Sequence, residues 1–425
     1  MSGGEKRSAA PTAAILVVGT ELTWGLTCES NSVVLSRWLS ERGITVVAAQ
    51  KTPDEIGLIA SAIEGFMDST DIIIITGGLG STHDDVTREA LAGALKAPLV
   101  PDEAALSIIA EHAPDGADSD SFIRQAYLPK GTAAILPEAG IAPGIVAETK
   151  GTLIFSLPGV PREMEMMLER VEKELLARGK TKGRPLVERA GLIGISEPEA
   201  ARLIAPVLEE HPEITVNIIA KPDEISLTLI APSGGESAAS GMERAFARIL
   251  EQLGETVFSA RGESLPEVVG ALLRQGGLTL ATAESITAGQ IGSLVATVPG
   301  SSDYLKGGVI AYANDVKTGL LGVEEAVLER VGAVSSETAA AMAEGARQAL
   351  GADIGLSVTG IAGPGGAAPE KPVGLVYTGL AAAAGTETFR HIHRGDRAGM
   401  QLKTAVTALN CLRRYLLDRE GKSDG

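Results

Sequence analysis

Cysteine is nearly absent from the chain: Cys28 and Cys411 are the only two in 425 residues. Two thiols cannot make a disulfide framework, and no Cys-x-x-Cys pattern points to zinc. Aromatic residues make up only 3% of the chain. The cores must therefore be built from Val, Ile, Leu and Ala, which suits α/β architecture better than an aromatic-rich β-sandwich. A basic excess is missing as well, with 37 Lys and Arg against 54 Asp and Glu and a formal net charge of −17. A field of that sign repels phosphate backbones and argues against nucleic acid as a partner. A small phosphorylated substrate is still permitted, because it needs only one local cluster of donors. Long hydrophobic runs are lacking too. The first apolar stretch, Ala13–Val18, is too short for a signal sequence or a membrane span and reads as a buried first strand. The expectation is a cytoplasmic protein with no membrane contact.

The length exceeds one ordinary core, and the order of signals divides it in three. Residues 1–12 are polar and expected to fray. Over residues 1–170, strand and helix signals alternate. Ala14–Val18 and Ile72–Ile75 read as strands, and the second is apolar throughout, as a strand buried on both faces is. Asn31–Glu41 and Thr87–Leu95 read as helices, and Leu153–Leu157 as a strand closed by Pro158-Gly159-Val160-Pro161. Repeated βα order implies a mainly parallel sheet with helices on both faces. Glu169–Arg189 reads as an exit helix and linker. Residues 171–260 form a smaller α+β unit, with a turn at Pro232-Ser233-Gly234-Gly235. Residues 261–425 return to glycine-rich α/β and end in a long helix, Ala398–Leu417.

Three segments of the last unit carry chemistry. Strand Thr279–Thr282 runs into Ala283-Glu284-Ser285-Ile286-Thr287-Ala288-Gly289. A strand turning sharply into a helix exposes a serine hydroxyl and aims free N–H groups at the same point, as an acyl-transfer nucleophile beside an oxyanion hole requires. A plain helix-capping serine is the commoner fate of such a residue. Serine needs a base. His391 and His393, two apart on one strand face, read as a surface pair. Lysine is the other known activator when burial lowers its pKa. The candidate is Lys317, after strand Gly308–Tyr312 in a helix start capped by Asn314; Tyr312 can relay or orient a proton. A solvated helix lysine is the alternative. The third segment, Ser357-Val358-Thr359-Gly360-Ile361-Ala362-Gly363-Pro364-Gly365-Gly366, runs a strand into a loop of four glycines. Such loops let N–H groups approach an anion, or serve as simple turns.

Glu284–Gly289, Pro299-Gly300-Ser301-Ser302, Ala311–Lys317, Val358–Gly366 and Lys371-Pro372-Val373-Gly374 together resemble the CinA C-terminal domain family. The resemblance implies a nicotinamide-nucleotide amidase that needs no cofactor and acts on nicotinamide mononucleotide. It makes Ser285 the nucleophile, Lys317 the base and Tyr312 its helper. Thr287, Gly289, Asn314, Thr359, Gly360, Gly363 and Arg397 would then line the substrate site, with Arg397 on phosphate or ribose. Where this family usually has Glu-Ser-Cys-Thr-Gly-Gly, the chain has Ile286 for Cys and Ala288 for the first Gly. Ile286 removes a rival cysteine nucleophile, and Ala288 adds a methyl near the expected oxyanion hole.

In the first unit, Ile72–Ile75 leads into Thr76-Gly77-Gly78-Leu79-Gly80-Ser81-Thr82-His83-Asp84-Asp85-Val86-Thr87. Glycines between a strand and a helix make a phosphate-accepting turn. Asp84 and Asp85 can hold a hard divalent cation, or Asp84 can cap the helix. This segment, with Gly19-Thr20-Glu21-Leu22 and Leu157–Met164, resembles the molybdopterin-binding fold at the front of CinA-type proteins. The resemblance implies a metal-dependent ADP-ribose pyrophosphatase. Its site would comprise Glu21, Gly77, Gly78, Gly80 and Thr82, with a divalent metal on Asp84 and Asp85. Ser81 replaces the proline usual there. The middle unit resembles a KH-like domain but has no basic Gly-x-x-Gly loop, which argues against RNA. The implied fold is α/β throughout: a three-layer molybdopterin-binding-like domain, a small KH-like α+β domain, and an α/β amidase domain, in a homodimer. A pterin-binding or DNA-uptake protein is the non-enzymatic alternative.

Overall fold

The computed structural model describes residues 10–112, 119–137, 140–181, 184–232 and 235–423. The turn expected at Ser233-Gly234, and most of the polar start, lie outside them. The chain divides into two compact units, residues 1–186 with 232–238, and residues 187–231 with 239–425. The middle and last segments, separate in the sequence reading, thus share one unit.

The first unit is built on a six-stranded sheet of β1 (Thr12–Val18), β2 (Thr45–Thr52), β3 (Ile72–Thr76), β6 (Ala133–Ile135), β7 (Gly144–Thr149) and β8 (Thr152–Leu157). The remaining strands, β4 (Leu99–Pro101) and β5 (Tyr127–Pro129), form a separate antiparallel pair. The order is β2-β1-β3-β8-β7-β6. The first four strands are parallel, as expected, while β7 and β6 complete the edge antiparallel.

Side chains alternate across a strand, so a strand apolar on every residue feeds two cores at once. Ile72 and Ile74 pack in one cluster with Leu35 and Leu39 of helix Asn31–Ser40 and with Met164, Met167 and Val171 of helix Pro161–Ala177. Ile73 and Ile75 pack in the other, with Ile59 and Ile63 of helix Ile56–Met67 and with Ala90, Leu91 and Ala94 of helix Thr87–Leu95. This is the expected three-layer α/β arrangement. The exit helix begins at Pro161, earlier than expected, because proline fits the first turn of a helix.

The second unit holds two sheets. One has β9 (Leu186–Ile193), β10 (Thr215–Lys221), β11 (Glu224–Ala231) and β12 (Val257–Ser259), in the order β10-β11-β9-β12. Strand β11 alternates buried and half-buried residues along its whole length, the pattern of a sheet covered on one face. The other has β13 (Leu280–Glu284), β14 (Leu305–Ile310), β15 (Ile354–Gly360), β16 (Leu375–Ala382) and β17 (Gly385–Ile392), in the order β14-β13-β15-β16-β17. Strands β14, β13 and β15 are parallel, and β16 and β17 antiparallel. Helices Leu265–Gln275 and Arg397–Ser423 supply Leu265, Val269, Leu273, Leu409 and Leu412 to one core. Helix Ser336–Ala349 supplies Met342 and Ala346 to the other. Three parallel strands side by side release their following loops at one end of the sheet, where α/β proteins place their sites. Among the described residues, no helix is long and apolar enough to cross a membrane.

In the first unit Arg88 is 2% exposed, and its guanidinium donates to the carbonyls of Leu79 (2.6 Å) and Gly80 (3.0 Å). Arg88→Met leaves those carbonyls without their charged donor. It is expected to lower stability by about 2 kcal/mol, read as a shift in the urea midpoint of this unit.

Candidate active site

The parallel order places the three chemical segments of the second unit next to one another. Central strand β13 ends at Glu284 and passes into Ser285. On one side β14 leads to Ala311 and the helix Asn314–Leu321, which carries Lys317; on the other, β15 leads into the glycine loop. A cavity of about 420 Å³ opens at their junction, lined by Ser285, Tyr312, Asn314, Lys317, Thr359, Gly360, Gly363 and Arg397, among others. Eight residues scattered over 113 positions of sequence, from Ser285 to Arg397, thus meet at one place.

Lys317 is 1% exposed, which is unusual for a lysine on a helix. Its Nζ donates to the carbonyls of Ala311 (2.7 Å) and Tyr312 (3.2 Å). Burial disfavours the charged ammonium and pushes the pKa below that of an ordinary lysine. A neutral amine has two protons, both used on these carbonyls, and its lone pair remains to accept a third. The Ser285 hydroxyl makes no hydrogen bond among the described residues, and no direct bond joins it to Lys317. Catalytic contacts of this kind often tighten only around a substrate.

Ser285 is not a helix cap. The helix that follows, Gln290–Ala296, is preceded by Gly289 at φ 101°. Ser285 lies in the intervening turn, its N–H donating to the Val358 carbonyl (3.0 Å). Thr287 and Gly289 do not line the cavity; both donate to the Glu284 carboxylate. The N–H groups of Ile291 and Gly292 also go to Glu284, so the helix start is not free to hold an oxyanion. Among the described residues the Ile286 N–H, at the cavity wall directly after Ser285, has no partner and is free for that role. The Ile286 carbonyl accepts from Gln401 (2.8 Å), which pins the turn to the last helix.

Asn314 lines the cavity but is the first residue of its helix rather than the cap, which is Ala313. Tyr312 reaches Lys317 through its carbonyl, while its phenol accepts from Arg397. Arg397 also donates to the Gly363 carbonyl (2.8 Å), clasping the glycine loop. The Thr359 hydroxyl is committed to the Ala333 carbonyl (2.7 Å). Gly360 is required by packing, since a Cβ there would stand 2.8 Å from the Leu375 carbonyl oxygen. Lys371, held by the Val331 carbonyl (2.6 Å), is a cavity residue that stood in a family motif but was not placed in the expected site. With Lys317 and Arg397 it makes three basic side chains, and no carboxylate lines the cavity among the described residues. The two histidines are not a surface pair: both are partly buried, stacked 6.0 Å apart, with His393 facing Asp223 and His391 facing Cys411, away from this cavity.

The first unit has its own cavity, of about 290 Å³, lined by Glu21, Gly77, Gly78, Asp84 and Asp85, and by Asn31 and Asp54, which the sequence reading left out of the site. Gly80 and Thr82 stand outside it. Thr82 donates its N–H and hydroxyl to Asp85 (2.9 and 2.6 Å), so Asp85 braces the loop. Asp84 does not cap the helix, whose capping residue is Val86 with no side-chain bond. Among the described residues no three His, Cys, Asp or Glu side chains converge to hold a metal. The Asn31 amide donates to Thr76 and Gly159, which leaves its buried carbonyl oxygen without a partner.

Residues 262–416 match the family model described as the CinA C-terminal domain, and residues 14–178 the model described as a probable molybdopterin binding domain. A CinA-like protein of Dictyoglomus thermophilum is 39% identical over 409 residues, covering 95% of this chain and 99% of its own length. One from Geobacter metallireducens is 38% identical over 415 residues, covering 95% and 99%. The crystal structure of the competence/damage inducible protein CihA from Agrobacterium tumefaciens is 40% identical, covering 35% of this chain and 91% of that one, with a TM-score of 0.33.

Ala288, in the turn after Ser285, stands at φ 51°, where a Cβ crowds the backbone. Ala288→Gly relieves that crowding. It is expected to raise stability by about 1 kcal/mol, measured as an upward shift of the urea midpoint.

Proposed function

This chain belongs to the CinA family, and on that premise we propose that its second unit hydrolyses the carboxamide of nicotinamide mononucleotide to nicotinate mononucleotide and ammonia. The observation that carries the reading is the cavity itself. It holds an unbonded serine hydroxyl and a buried lysine, and beside that lysine Arg397 and Lys371 are cationic, with no carboxylate among the described lining residues, in a chain of net charge −17. A lone amide would not need such a lining; an amide that carries a phosphate would, because Arg and Lys are the usual phosphate partners.

Ser285 Oγ attacks the carboxamide carbon while its proton passes to the lone pair of Lys317 Nζ. The developing oxyanion is met by the Ile286 N–H. The carbon–nitrogen bond then breaks, Lys317 returns the proton to the leaving nitrogen, and ammonia departs. Water repeats the sequence: it gives a proton to Lys317, its oxygen bonds to the acyl carbon, and Ser285 recovers its hydroxyl as nicotinate mononucleotide leaves. Arg397 and Lys371 hold the phosphate, and Asn314 meets the ribose.

For the first unit the reading is cleavage of a nucleotide diphosphate such as ADP-ribose. It is supported by the positive-φ glycines Gly77 and Gly78 and by the unpartnered Asn31 oxygen at one cavity. AMP release from ADP-ribose is expected to fall in Asn31→Ala and to be unchanged in Ser285→Ala; equal release by wild type and Asn31→Ala would remove this reading.

The test of the main reading is ammonia release from nicotinamide mononucleotide. It is expected to survive EDTA and to fall by at least about 10³-fold in Ser285→Ala and in Lys317→Ala. Full activity in both folded variants would end the proposal. The reactive form of Lys317 is neutral and its pKa is lowered by burial. Hence kcat/KM should rise with pH through that lowered pKa and level off before the range of an ordinary lysine.

A further inference from the structure

Glu284 is the most heavily bonded side chain beside the nucleophile, and the mechanism above does not use it. It is 1% exposed. Its Oε2 accepts from the Thr287 hydroxyl (2.7 Å), the Gly289 N–H (2.9 Å) and the Ile291 N–H (3.0 Å). Its Oε1 accepts from the Gly292 N–H (2.8 Å), with the Thr282 hydroxyl at 3.4 Å. Among the described residues no Lys or Arg pairs with it. The buried charge is balanced instead by the free N–H groups at the start of helix Gln290–Ala296.

The main chain of the same residue reaches the base. The Glu284 carbonyl accepts the Ala311 N–H (2.8 Å), and the Ala311 carbonyl receives Lys317 Nζ (2.7 Å). The side chain folds the five residues after it into a loop closed at both ends, with Ser285 as its first member. We propose that Glu284 is a positioning residue: its carboxylate fixes the Ser285 turn, and its carbonyl keeps that turn in register with Lys317. It touches no substrate. A second consequence is that it occupies the helix N–H groups, so the oxyanion is directed to the Ile286 N–H.

Glutamine cannot replace it. Only one of its two terminal atoms accepts, and its NH₂ would face N–H groups that need an acceptor. The turn would open, and a displacement of about 1 Å at a nucleophile costs roughly 100-fold in rate.

The inference rests on Ser285 being the nucleophile, so its test reads Ser285 directly on the full chain. A small alkyl phosphonofluoridate is added, and modification is followed by intact mass. The Oγ–P bond forms as the P–F bond breaks, fluoride leaves, and the hydroxyl proton passes to Lys317. Ser285→Ala is the blank. Glu284→Gln is expected to react at least about 30-fold more slowly but to the same final extent. Its kcat on nicotinamide mononucleotide should fall in parallel while KM stays within about threefold. A merely structural role moves the opposite readout: it lowers the extent, by loss of folded protein, and leaves the rate of the remainder unchanged. Thr287→Val removes one donor and should slow labelling by about fivefold, whereas Thr287→Ser keeps the hydroxyl and the wild-type rate. That pair decides the matter if Glu284→Gln does not fold. Wild-type labelling rates in Glu284→Gln or in Thr287→Val, or a wild-type Ser285 that does not react, would overturn the proposal. Labelling as expected, with no ammonia released from nicotinamide mononucleotide, would leave Glu284 in its role and remove the substrate reading alone.

Discussion

Parallel pairing of β14, β13 and β15 is the constraint from which the candidate site follows. Parallel strands run the same way, so whatever follows each of them emerges at the same end of the sheet. The central strand delivers Ser285, one neighbour delivers Lys317 and the other delivers the glycine loop. The register fixes the match in detail, with Glu284 opposite Ile310 on one side and Val358 on the other. Antiparallel β16 starts at that same edge and β17 ends there, so Arg397, which follows β17 at the start of the last helix, arrives beside the site to close the loop against Tyr312.

The site carries two uncompensated buried ionisable groups, and each is handled differently. Lys317 is pushed toward its neutral form, because burial disfavours the ammonium and no carboxylate among the described residues lines the cavity to offset it. Glu284 accepts main-chain and hydroxyl protons in place of a cation. The two solutions are complementary. An acidic residue facing the cavity would raise the lysine pKa and repel a phosphate; one turned into a helix start does neither.

Much of this was readable in the residues. The uninterrupted run Ile72–Ile75 marked a strand buried on both faces, and the structure divides its side chains between two cores. The CinA resemblance assembled Ser285, Lys317, Thr359, Gly360, Gly363 and Arg397, and all six line one cavity. Thr287 and Gly289 were adjacent in sequence to the right residue, yet they turn inward to Glu284. Periodicity cannot tell which way a turn residue points. Lys371 stood in a family motif with no role attached and Gln401 gave no local signal, since a lysine beside a proline and a glutamine on a helix are ordinary surface residues until a cavity or a carbonyl is placed beside them.

In the first unit the pair Asp84-Asp85 read equally well as metal ligands or a helix cap. Neither settles the loop, because Asp85 is held by Thr82 three residues earlier. That choice depends on the path of the loop between them. By itself, then, the sequence determined the α/β class, the alternation that fills two cores around each strand, the family, and Ser285 and Lys317 as the pair the proposed mechanism uses, because hydrophobic period and short motifs are local properties. Only the tertiary structure decided that a buried lysine has two carbonyls for its protons, that a glutamate holds the helix start, and that basic side chains but no carboxylate among the described residues line the cavity. Those depend on which distant segments the strand order brings within hydrogen-bond reach, and no local pattern records that order.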